Sequence, residues 1–291
     1  MEAAVRNCVS KKCLNLVCGA FSDRWRKIVL ECGKESNAIE VELGKAIKAS
    51  MVREELEKNE YDALCLTHNE TSTGVMNPLE EIADVMRDFP DVTFMVDAVS
   101  SMGGTKIEVD KLKIDVCLAS VQKCLALPPG FSLFSVSDRA LEKSKSISGR
   151  GHYFDFRAFL EYYKKGQTIA TPSIPHMRAL NKQMDFMLEE GLENRFKRHE
   201  EMAEIVSGWA EESFELFPEE GFESPTLTVI NNSKNLDIGM INKKLRERGK
   251  LIGDGYGSLK GKTFRIAHMG DLQVNDVKEL LADLDELMVL Q

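Results

Sequence analysis

Residues 92–136 read VTFMVDAVSSMGGTKIEVDKLKIDVCLASVQKCLALPPGFSLFSV. The segment holds three apolar runs, at 92–96, 116–121 and 131–136, each of a length typical of a buried strand. About nine residues containing the sequence PPG join the last two runs, and a connection this short cannot hold a crossover helix. The last two strands are therefore predicted to be antiparallel, in a mixed sheet.

The preceding sequence alternates strand-like and helix-like segments. Strands are predicted at 13–17, 38–43 and 62–67, and helices at 21–31 and 46–58, with a further helix opened by Pro78. Strands separated by helices of this length form right-handed crossovers, so the rest of the sheet is predicted to be parallel. The fold class is therefore α/β.

From about Ser173 the pattern changes to long helices at 174–190 and 193–212, rich in Met, Glu, Lys and Arg. Short strands follow at 226–230 and 263–268, and a last helix at 275–289 is predicted to have Asn275 as its N-cap. We therefore predict two domains, a large α/β domain at 1–172 and a smaller α+β domain at 173–291.

Composition excludes several classes of protein. The 38 basic and 47 acidic residues give a net charge of −9, which argues against general binding of nucleic acid. The longest apolar runs are too short to span a membrane, and the first ten residues lack a signal-peptide pattern. The seven cysteines are odd in number and show no C-x-x-C spacing, which argues against a zinc ribbon and favours a reducing, cytoplasmic location with no metal site.

Three polar clusters follow predicted strands, where open α/β sheets bind ligands. They are residues 68–74 (HNETSTG), residues 97–101 (DAVSS) and residues 120–123 (SVQK). Taken singly, each is typical of a turn, a helix cap or a solvated lysine. Together they bring a carboxylate, an amine and hydroxyl groups to successive strand ends, which are the groups that a cofactor with a pyridine nitrogen, an aldehyde and a phenolic oxygen requires.

These clusters carry a resemblance to a known family. FMVDAVSSMGG at 94–104 and SVQKCLALPPG at 120–130 resemble the class V aminotransferases, and most closely the alanine–glyoxylate and serine–pyruvate aminotransferase group. GAFSDR at 19–24, TPS at 171–173 and FRIAHMG at 264–270 extend the resemblance over nearly the whole chain. It implies a fold type I enzyme that uses pyridoxal 5'-phosphate, with a mixed, mostly parallel sheet of seven strands.

The resemblance also implies roles for individual residues. Lys123 would form the Schiff base with the cofactor aldehyde and move the α-proton, which requires an amine with a lowered pKa. Asp97 would pair with the pyridine nitrogen and keep the ring protonated. Arg265 would hold the substrate carboxylate through two parallel hydrogen bonds that a lysine could not make.

Further residues are implied to bind the cofactor. They are Val99 and Phe21 against the two ring faces, Thr71 and Ser72 at the phenolic oxygen, and Gln122 at the phosphate. Thr171 is implied to reach the phosphate across the interface of a homodimer with shared active sites, although Thr168 stands where many relatives have a tyrosine. His68, His152 and His268 are predicted to be structural.

One departure from the family pattern concerns phosphate binding. In the family a Ser-Gly-Thr-Gly-like turn at a helix N-terminus precedes the segment that matches MEAAVRN at 1–7. We therefore expect this chain to be an N-terminally truncated family member, whether a truncated gene model, a fragment or a real short form, and we expect a real short form to bind the cofactor weakly. GSLKGKT at 257–263 is not a substitute, because a P-loop has four residues between its glycines, and this segment and GDGYG at 253–257 are predicted to be flexible loops.

The expected reaction transfers an amino group from a small amino acid, such as alanine, serine or aspartate, to a 2-oxo acid such as glyoxylate or pyruvate. The sequence does not select the donor. Two alternatives remain open: a lyase or desulfurase of the same fold, and a catalytically impaired paralogue that serves as a structural or dimerising partner.

Overall fold

The computed structural model describes residues 1–289. Its helices are α1 (Glu2–Cys8), α2 (Ala20–Glu31), α3 (Ala49–Lys58), α4 (Leu79–Met86), α5 (Asp138–Ser144), α6 (Phe156–Lys164), α7 (Ile174–Glu190), α8 (Leu192–Glu211), α9 (Ile238–Glu247) and α10 (Val274–Val289). Its strands are β1 (Lys12–Val17), β2 (Glu35–Glu40), β3 (Ala63–Thr67), β4 (Asn69–Glu70), β5 (Val75–Met76), β6 (Thr93–Asp97), β7 (Val116–Ser120), β8 (Ser132–Val136), β9 (Leu227–Asn231), β10 (Gly253–Asp254) and β11 (Thr263–Ala267).

The main sheet has the strand order β2-β1-β3-β6-β7-β8. All neighbours in it are parallel except β7 and β8, which are antiparallel as the short PPG connection predicts. The α/β fold class is confirmed. The main sheet has six strands within residues 1–289, not the seven implied by the resemblance, and the other five strands of this part of the chain pair in two separate sheets.

Both faces of the sheet are buried. Alternate residues of the central strands, such as Leu64 and Leu66, pack with α3 and α4 on one side. The residues between them, such as Ala63 and Cys65, pack with α1 and α2 on the other. Strands buried on both faces need near-continuous apolar sequence, which is what identified them from the sequence.

The C-terminal part has its own antiparallel sheet, in the order β10-β11-β9, packed against α8, α9 and α10. The predicted boundary at residue 173 coincides with the start of α7, and the division into domains stays a prediction. Within the described residues, no helix is long and apolar enough to cross a membrane.

Several boundaries differ from the predicted ones. Helix α3 begins at Ala49 and not at Ala46, because Lys48, its N-cap, has an extended backbone with ψ of 143°. Strand β2 begins at Glu35, since pairing with β1 extends it beyond its apolar part.

The predicted N-cap of the last helix is wrong, and the predicted loop at 253–257 is wrong for Gly253 and Asp254. Helix α10 begins at Val274, so Asn275 lies inside it, and the Asp276 carboxylate accepts a hydrogen bond from the Gln273 N–H at 2.8 Å. Gly253 and Asp254 form β10, which pairs with β11. A Cβ at Gly255 would lie 2.0 Å from the Leu259 carbonyl oxygen, so tight packing that only glycine allows replaces the flexibility expected of a glycine-rich segment.

Candidate active site

The three polar clusters meet at the carboxyl edge of the main sheet. Thr67 at the end of β3 is paired with Asp97 at the end of β6, and Asp97 is paired with Leu118 of β7. The His68 N–H donates to the Asp97 carbonyl oxygen at 2.9 Å. The polar groups after each strand therefore face a common crevice, as the parallel order requires.

Asp97 is a buried carboxylate with one free oxygen. Its side chain is 4% exposed, and Oδ1 accepts a hydrogen bond from the Val99 N–H at 2.8 Å. No donor for Oδ2 lies within hydrogen-bond distance in residues 1–289. Burial raises the pKa of Asp97 to about 6, against the lowering effect of the Val99 N–H and of Lys123. Such a group is prepared to accept a hydrogen bond from a cationic ring N–H.

Lys123 lies in the turn that follows β7. Burial lowers the pKa of its ammonium group, and the positive charge of Arg265 lowers it further, while the Cys124 thiol and Asp97 oppose the shift. Its Nζ has no hydrogen-bond partner among the described residues. A lysine with these surroundings is a better nucleophile and base at neutral pH than a solvated one.

Glu70 organises the start of α2, and the sequence analysis assigned it no role. It is fully buried, and its carboxylate accepts hydrogen bonds from the backbone N–H groups of Phe21 and Ser22, at 3.1 and 2.9 Å, and from the Ser72 hydroxyl at 2.7 Å. A negative charge at a helix N-terminus is stabilised by the helix dipole. The sequence feature that could have identified Glu70 is its position as the one charged residue within NETSTG at 69–74.

Gly19 permits this arrangement. A Cβ at position 19 would lie 2.4 Å from the Glu70 Cγ and 2.5 Å from the Ser72 hydroxyl oxygen. The backbone before α2 can therefore approach residues 70–72 only because residue 19 is glycine. This close approach lets the Phe21 N–H reach the Glu70 carboxylate.

Arg265 is held by backbone carbonyl groups. Its Nε donates to the Asp254 carbonyl oxygen at 2.9 Å and its Nη1 donates to the Thr71 carbonyl oxygen at 3.2 Å. Burial lowers the pKa of the guanidinium, against the effect of Asp254 and Tyr256. Its Nη2 has no acceptor within residues 1–289, which leaves donors for a carboxylate.

Tyr256 is a second residue that the sequence analysis missed. Its ring centroid lies 5.0 Å from that of Phe21, and the Cζ of Arg265 lies 5.6 Å from the Tyr256 centroid. The tyrosine lies in the glycine-rich segment predicted to be a loop. The sequence feature that could have identified Tyr256 is its position as an aromatic residue between two glycines.

Of the remaining predicted cofactor residues, Val99 and Thr71 contact Asp97 and Arg265, whereas Ser72 and Gln122 are hydrogen-bonded to other side chains. The Val99 N–H donates to the Asp97 carboxylate two residues earlier, and the Thr71 carbonyl oxygen accepts a hydrogen bond from Arg265. The Ser72 hydroxyl donates to Glu70 and accepts from the Ala20 N–H at 2.9 Å, so its hydrogen is already committed. Gln122 is exposed, and its Oε1 accepts a hydrogen bond from the Ser120 hydroxyl.

Thr171 lines a cavity that does not include Lys123 or Arg265. It is exposed and lines a cavity of about 740 Å³ together with Val99, Ser120 and the first residues of α1. Lys123 and Arg265 are not among the residues that line this cavity. Within one chain, Thr171 therefore reaches the Val99 side of the crevice and not the lysine.

Two of the histidines predicted to be structural are buried and bonded to hydroxyl groups. His68 Nδ1 lies 3.1 Å from the Ser101 Oγ, and His268 Nε2 lies 2.9 Å from the Thr228 Oγ1. Burial lowers the pKa of His68 to about 4 and that of His268 to about 3, so both are neutral at physiological pH. His152 is exposed.

Comparison with known proteins identifies the family. The sequence profile described as aminotransferase class-V matches residues 19–216, which include Asp97, Lys123 and the whole main sheet from β2 onward. The chain belongs to the class-V aminotransferase family. The resemblance noted in the sequence is thereby confirmed, together with the expectation of a pyridoxal-phosphate-dependent aminotransferase.

Individual relatives of this class-V aminotransferase cover most of its length. An uncharacterized aminotransferase of Methanocaldococcus jannaschii is 39% identical over 98% of this chain and 74% of its own. A serine–glyoxylate aminotransferase of Methylorubrum extorquens is 32% identical over 93% of this chain and 71% of its own. The crystal structure of an alanine–glyoxylate aminotransferase from Nostoc sp. superposes with a TM-score of 0.92 at 29% identity, over 99% of this chain and 78% of that one.

The cofactor that the family implies fits the residues present. Asp97 offers an unpartnered buried oxygen for the ring N–H, and Lys123 offers an amine of lowered pKa for the aldehyde. Val99, an apolar residue, donates its N–H to the Asp97 carboxylate, and the Phe21 ring packs against Tyr256, which lies beside Arg265. The donor set suits a charged aromatic ring with an aldehyde.

Proposed function

We propose that this aminotransferase transfers the amino group of a small amino acid, such as alanine, serine or aspartate, to a 2-oxo acid such as glyoxylate or pyruvate. The observation that carries the proposal is the grouping of a buried carboxylate, a lysine amine and an arginine guanidinium: Lys123 interacts electrostatically with both Asp97 and Arg265. Pyridoxal phosphate, when bound, supplies an electron-withdrawing ring that stabilises negative charge on the substrate α-carbon.

The chain's own residues supply positioning and proton transfer in this proposal. Asp97 stays ionised beside the ring N–H, because a cation at that place opposes the effect of burial. Lys123, as the neutral amine, would take the proton from the substrate α-carbon and hold it on Nζ until it is returned in the second proton transfer. Arg265 orients the substrate carboxylate so that the α-proton faces Lys123.

The proposed substrate class rests on two arguments. Arg265 retains donors for a carboxylate, which every amino acid and 2-oxo acid carries. The serine–glyoxylate and alanine–glyoxylate enzymes among the relatives differ in their named donor and share glyoxylate as acceptor. Glyoxylate is therefore the first acceptor to test.

A homodimer with shared active sites is part of the proposal. Tyr163, Ile174 and Met177 are exposed apolar residues, 79%, 48% and 41% accessible, and they line one cleft together with Thr171. Large apolar side chains grouped on a surface mark a protein contact. A partner chain covering this cleft would bring Thr171 to the edge of a second site.

The other functions considered have weaker support. A desulfurase needs a mobile, reactive cysteine, whereas six of the cysteines are buried and Cys32 is half-buried, with burial raising the pKa of the Cys32 thiol. Seven free cysteines support a cytoplasmic location as part of the proposal. A lyase and a non-catalytic structural partner remain alternatives that an activity measurement separates.

The experiment uses the full chain with added pyridoxal phosphate. Alanine, serine and aspartate are tested in turn as donors to glyoxylate and pyruvate, and the amino acid formed is quantified. Lys123→Ala should abolish transfer, by at least about a thousandfold, because the amine is the proton carrier. Lys145→Ala, which removes an exposed lysine paired with Glu142, should leave it unchanged.

Formation of ammonia in place of an amino acid product would favour the lyase alternative. No transfer with any pair by the wild-type chain, with an absorbance spectrum identical to that of Lys123→Ala, would refute the proposed function.

A further inference from the structure

Tyr256 lies between the two groups that the proposed function assigns to cofactor and substrate. Its ring packs against Phe21 with centroids 5.0 Å apart and planes inclined by 31°. The guanidinium of Arg265 lies over the same ring, with Cζ 5.6 Å from the centroid. One aromatic side chain thus contacts the predicted ring-stacking residue and the predicted carboxylate-binding residue.

The backbone of Tyr256 is fixed. The Gly255 N–H is shared between the Thr263 carbonyl oxygen at 2.9 Å and the Asp254 Oδ1 at 2.7 Å. A Cβ at Gly255 would overlap the Leu259 carbonyl group. The ring therefore projects from a segment with little freedom to move.

The hydroxyl group of Tyr256 is held as well. Arg24 Nη2 donates a hydrogen bond to it at 2.8 Å, and the Arg24 guanidinium lies 5.0 Å from the Phe21 ring centroid. Arg24 lies one turn after Phe21 on α2, whose N-terminus Glu70 fixes. The ring is thus anchored at both ends, by the sheet of β9–β11 on one side and by α2 on the other.

The orientation of the Arg265 guanidinium depends on the same segment. Its Nε donates to the carbonyl oxygen of Asp254, two residues before Tyr256, and its Cζ lies over the tyrosine ring, 5.6 Å from the ring centroid. Guanidinium groups pack well on aromatic faces, where the contact restricts rotation of a long side chain. Without the ring, only the hydrogen bonds of Nε and Nη1 to the Asp254 and Thr71 carbonyl oxygens would hold the guanidinium, and the Nη2 donors would be fixed less firmly toward the substrate.

We propose that Tyr256 is a positioning residue of this active site: its ring holds the Arg265 guanidinium and the Phe21 ring in a fixed relation, so that the substrate carboxylate and the cofactor ring are bound in register. The proposal rests on the proposed function and assigns to Tyr256 no contact with the reacting atoms. Its effect is on binding of carboxylates.

The test compares Tyr256→Ala, Tyr256→Leu and Tyr256→Phe with wild type, in the full chain loaded with pyridoxal phosphate. Lys260→Ala, in the exposed part of the same segment, is the matched control. Three quantities are measured: KM and kcat for the amino donor, the circular dichroism of the bound cofactor, and the Kd of propionate, which has a carboxylate but no amino group to react.

Tyr256→Ala and Tyr256→Leu should raise both KM and the propionate Kd by about tenfold or more, with a smaller fall in kcat, and should change the cofactor dichroism. Tyr256→Phe keeps the ring and should stay within about threefold of wild type. The leucine variant keeps much of the volume, so it provides the measurement if the alanine variant does not fold.

A KM and a propionate Kd within twofold of wild type in Tyr256→Leu would overturn the proposal, even if the melting temperature falls, because packing alone would then explain the residue. An equal rise in KM and in the propionate Kd in Lys260→Ala would also overturn the proposal. Absence of transfer by the wild-type chain would refute the proposed function instead, while the propionate measurement still decides the role of Tyr256.

Discussion

At the Asp97 carboxylate, one oxygen accepts a hydrogen bond from the Val99 backbone and the other has no partner among residues 1–289. The sequence shows an acidic residue at the end of a buried strand and cannot show the burial that raises its pKa to about 6. Lys123 is similar, since its lowered pKa depends on burial and on the charge of Arg265, 142 residues away in the chain. Chemistry at this scale follows from the surroundings of each group more than from its identity.

Asp97→Asn should change how the stability of the cofactor-free protein depends on pH. A carboxyl group with a folded pKa of about 6 binds a proton more tightly when folded, so wild type loses stability as pH rises from about 4 to about 6. Relative to the asparagine variant, the free energy of unfolding of wild type should fall by about 3 kcal/mol at most and then level off above pH 7.

Urea unfolding at a series of pH values measures this difference, with Asp88→Asn, an exposed acidic residue, as the control. A constant difference between wild type and Asp97→Asn across pH 4–7 would show that the folded pKa is not raised.

At the scale of elements, the N-terminus of α2 joins three segments that are distant in the chain. Glu70 accepts the Phe21 and Ser22 N–H groups and the Ser72 hydroxyl, while Gly19 makes room for this contact. The hairpin of β4 and β5 carries Glu70, so the position of Phe21 is set by a side chain about fifty residues later in sequence. Helix propensity predicts α2 and gives no information on what lies at its end.

Glu70→Gln should destabilise the protein by about 1–3 kcal/mol, because the neutral amide loses the charge at the helix N-terminus and places a donor where only acceptors fit. Glu31→Gln is the matched control, since Glu31 is the exposed last residue of the same helix, where a negative charge is unfavourable. That variant should be neutral or slightly stabilising.

The shift in the urea midpoint at constant slope gives both values. Equal effects of the two substitutions would contradict the role of the Glu70 carboxylate.

At the scale of the whole molecule, one surface cleft is exposed and apolar. It is lined by Tyr163, Ile174 and Met177, next to Thr171. Thr171 lines the 740 Å³ cavity with Val99 and Ser120 and lies apart from Lys123. A second chain over this cleft would both bury the apolar groups and place Thr171 near another site.

Ile174→Asp should therefore weaken self-association by at least about tenfold in Kd, since it places a charge in a desolvated contact. Leu251→Asp is the control, because Leu251 is a similarly exposed apolar residue, 56% accessible, in the C-terminal sheet region. Sedimentation velocity over a range of concentrations measures both.

A wild-type chain that remains a monomer at high micromolar concentration would contradict the predicted homodimer, as would equal dissociation of the two variants.

The sequence by itself determined the α/β class, the antiparallel β7–β8 pair and the grouping of Asp97, Lys123 and residues 68–74 at one sheet edge. These depend on local patterns, namely apolar runs, a short PPG connection and the rule that parallel strands end on the same side. The tertiary structure alone decided the role of Glu70, the ordering of the 253–257 segment and the place of Tyr256 between Phe21 and Arg265. Each of these depends on contacts between segments far apart in the chain, and on burial, which no local pattern of residues records.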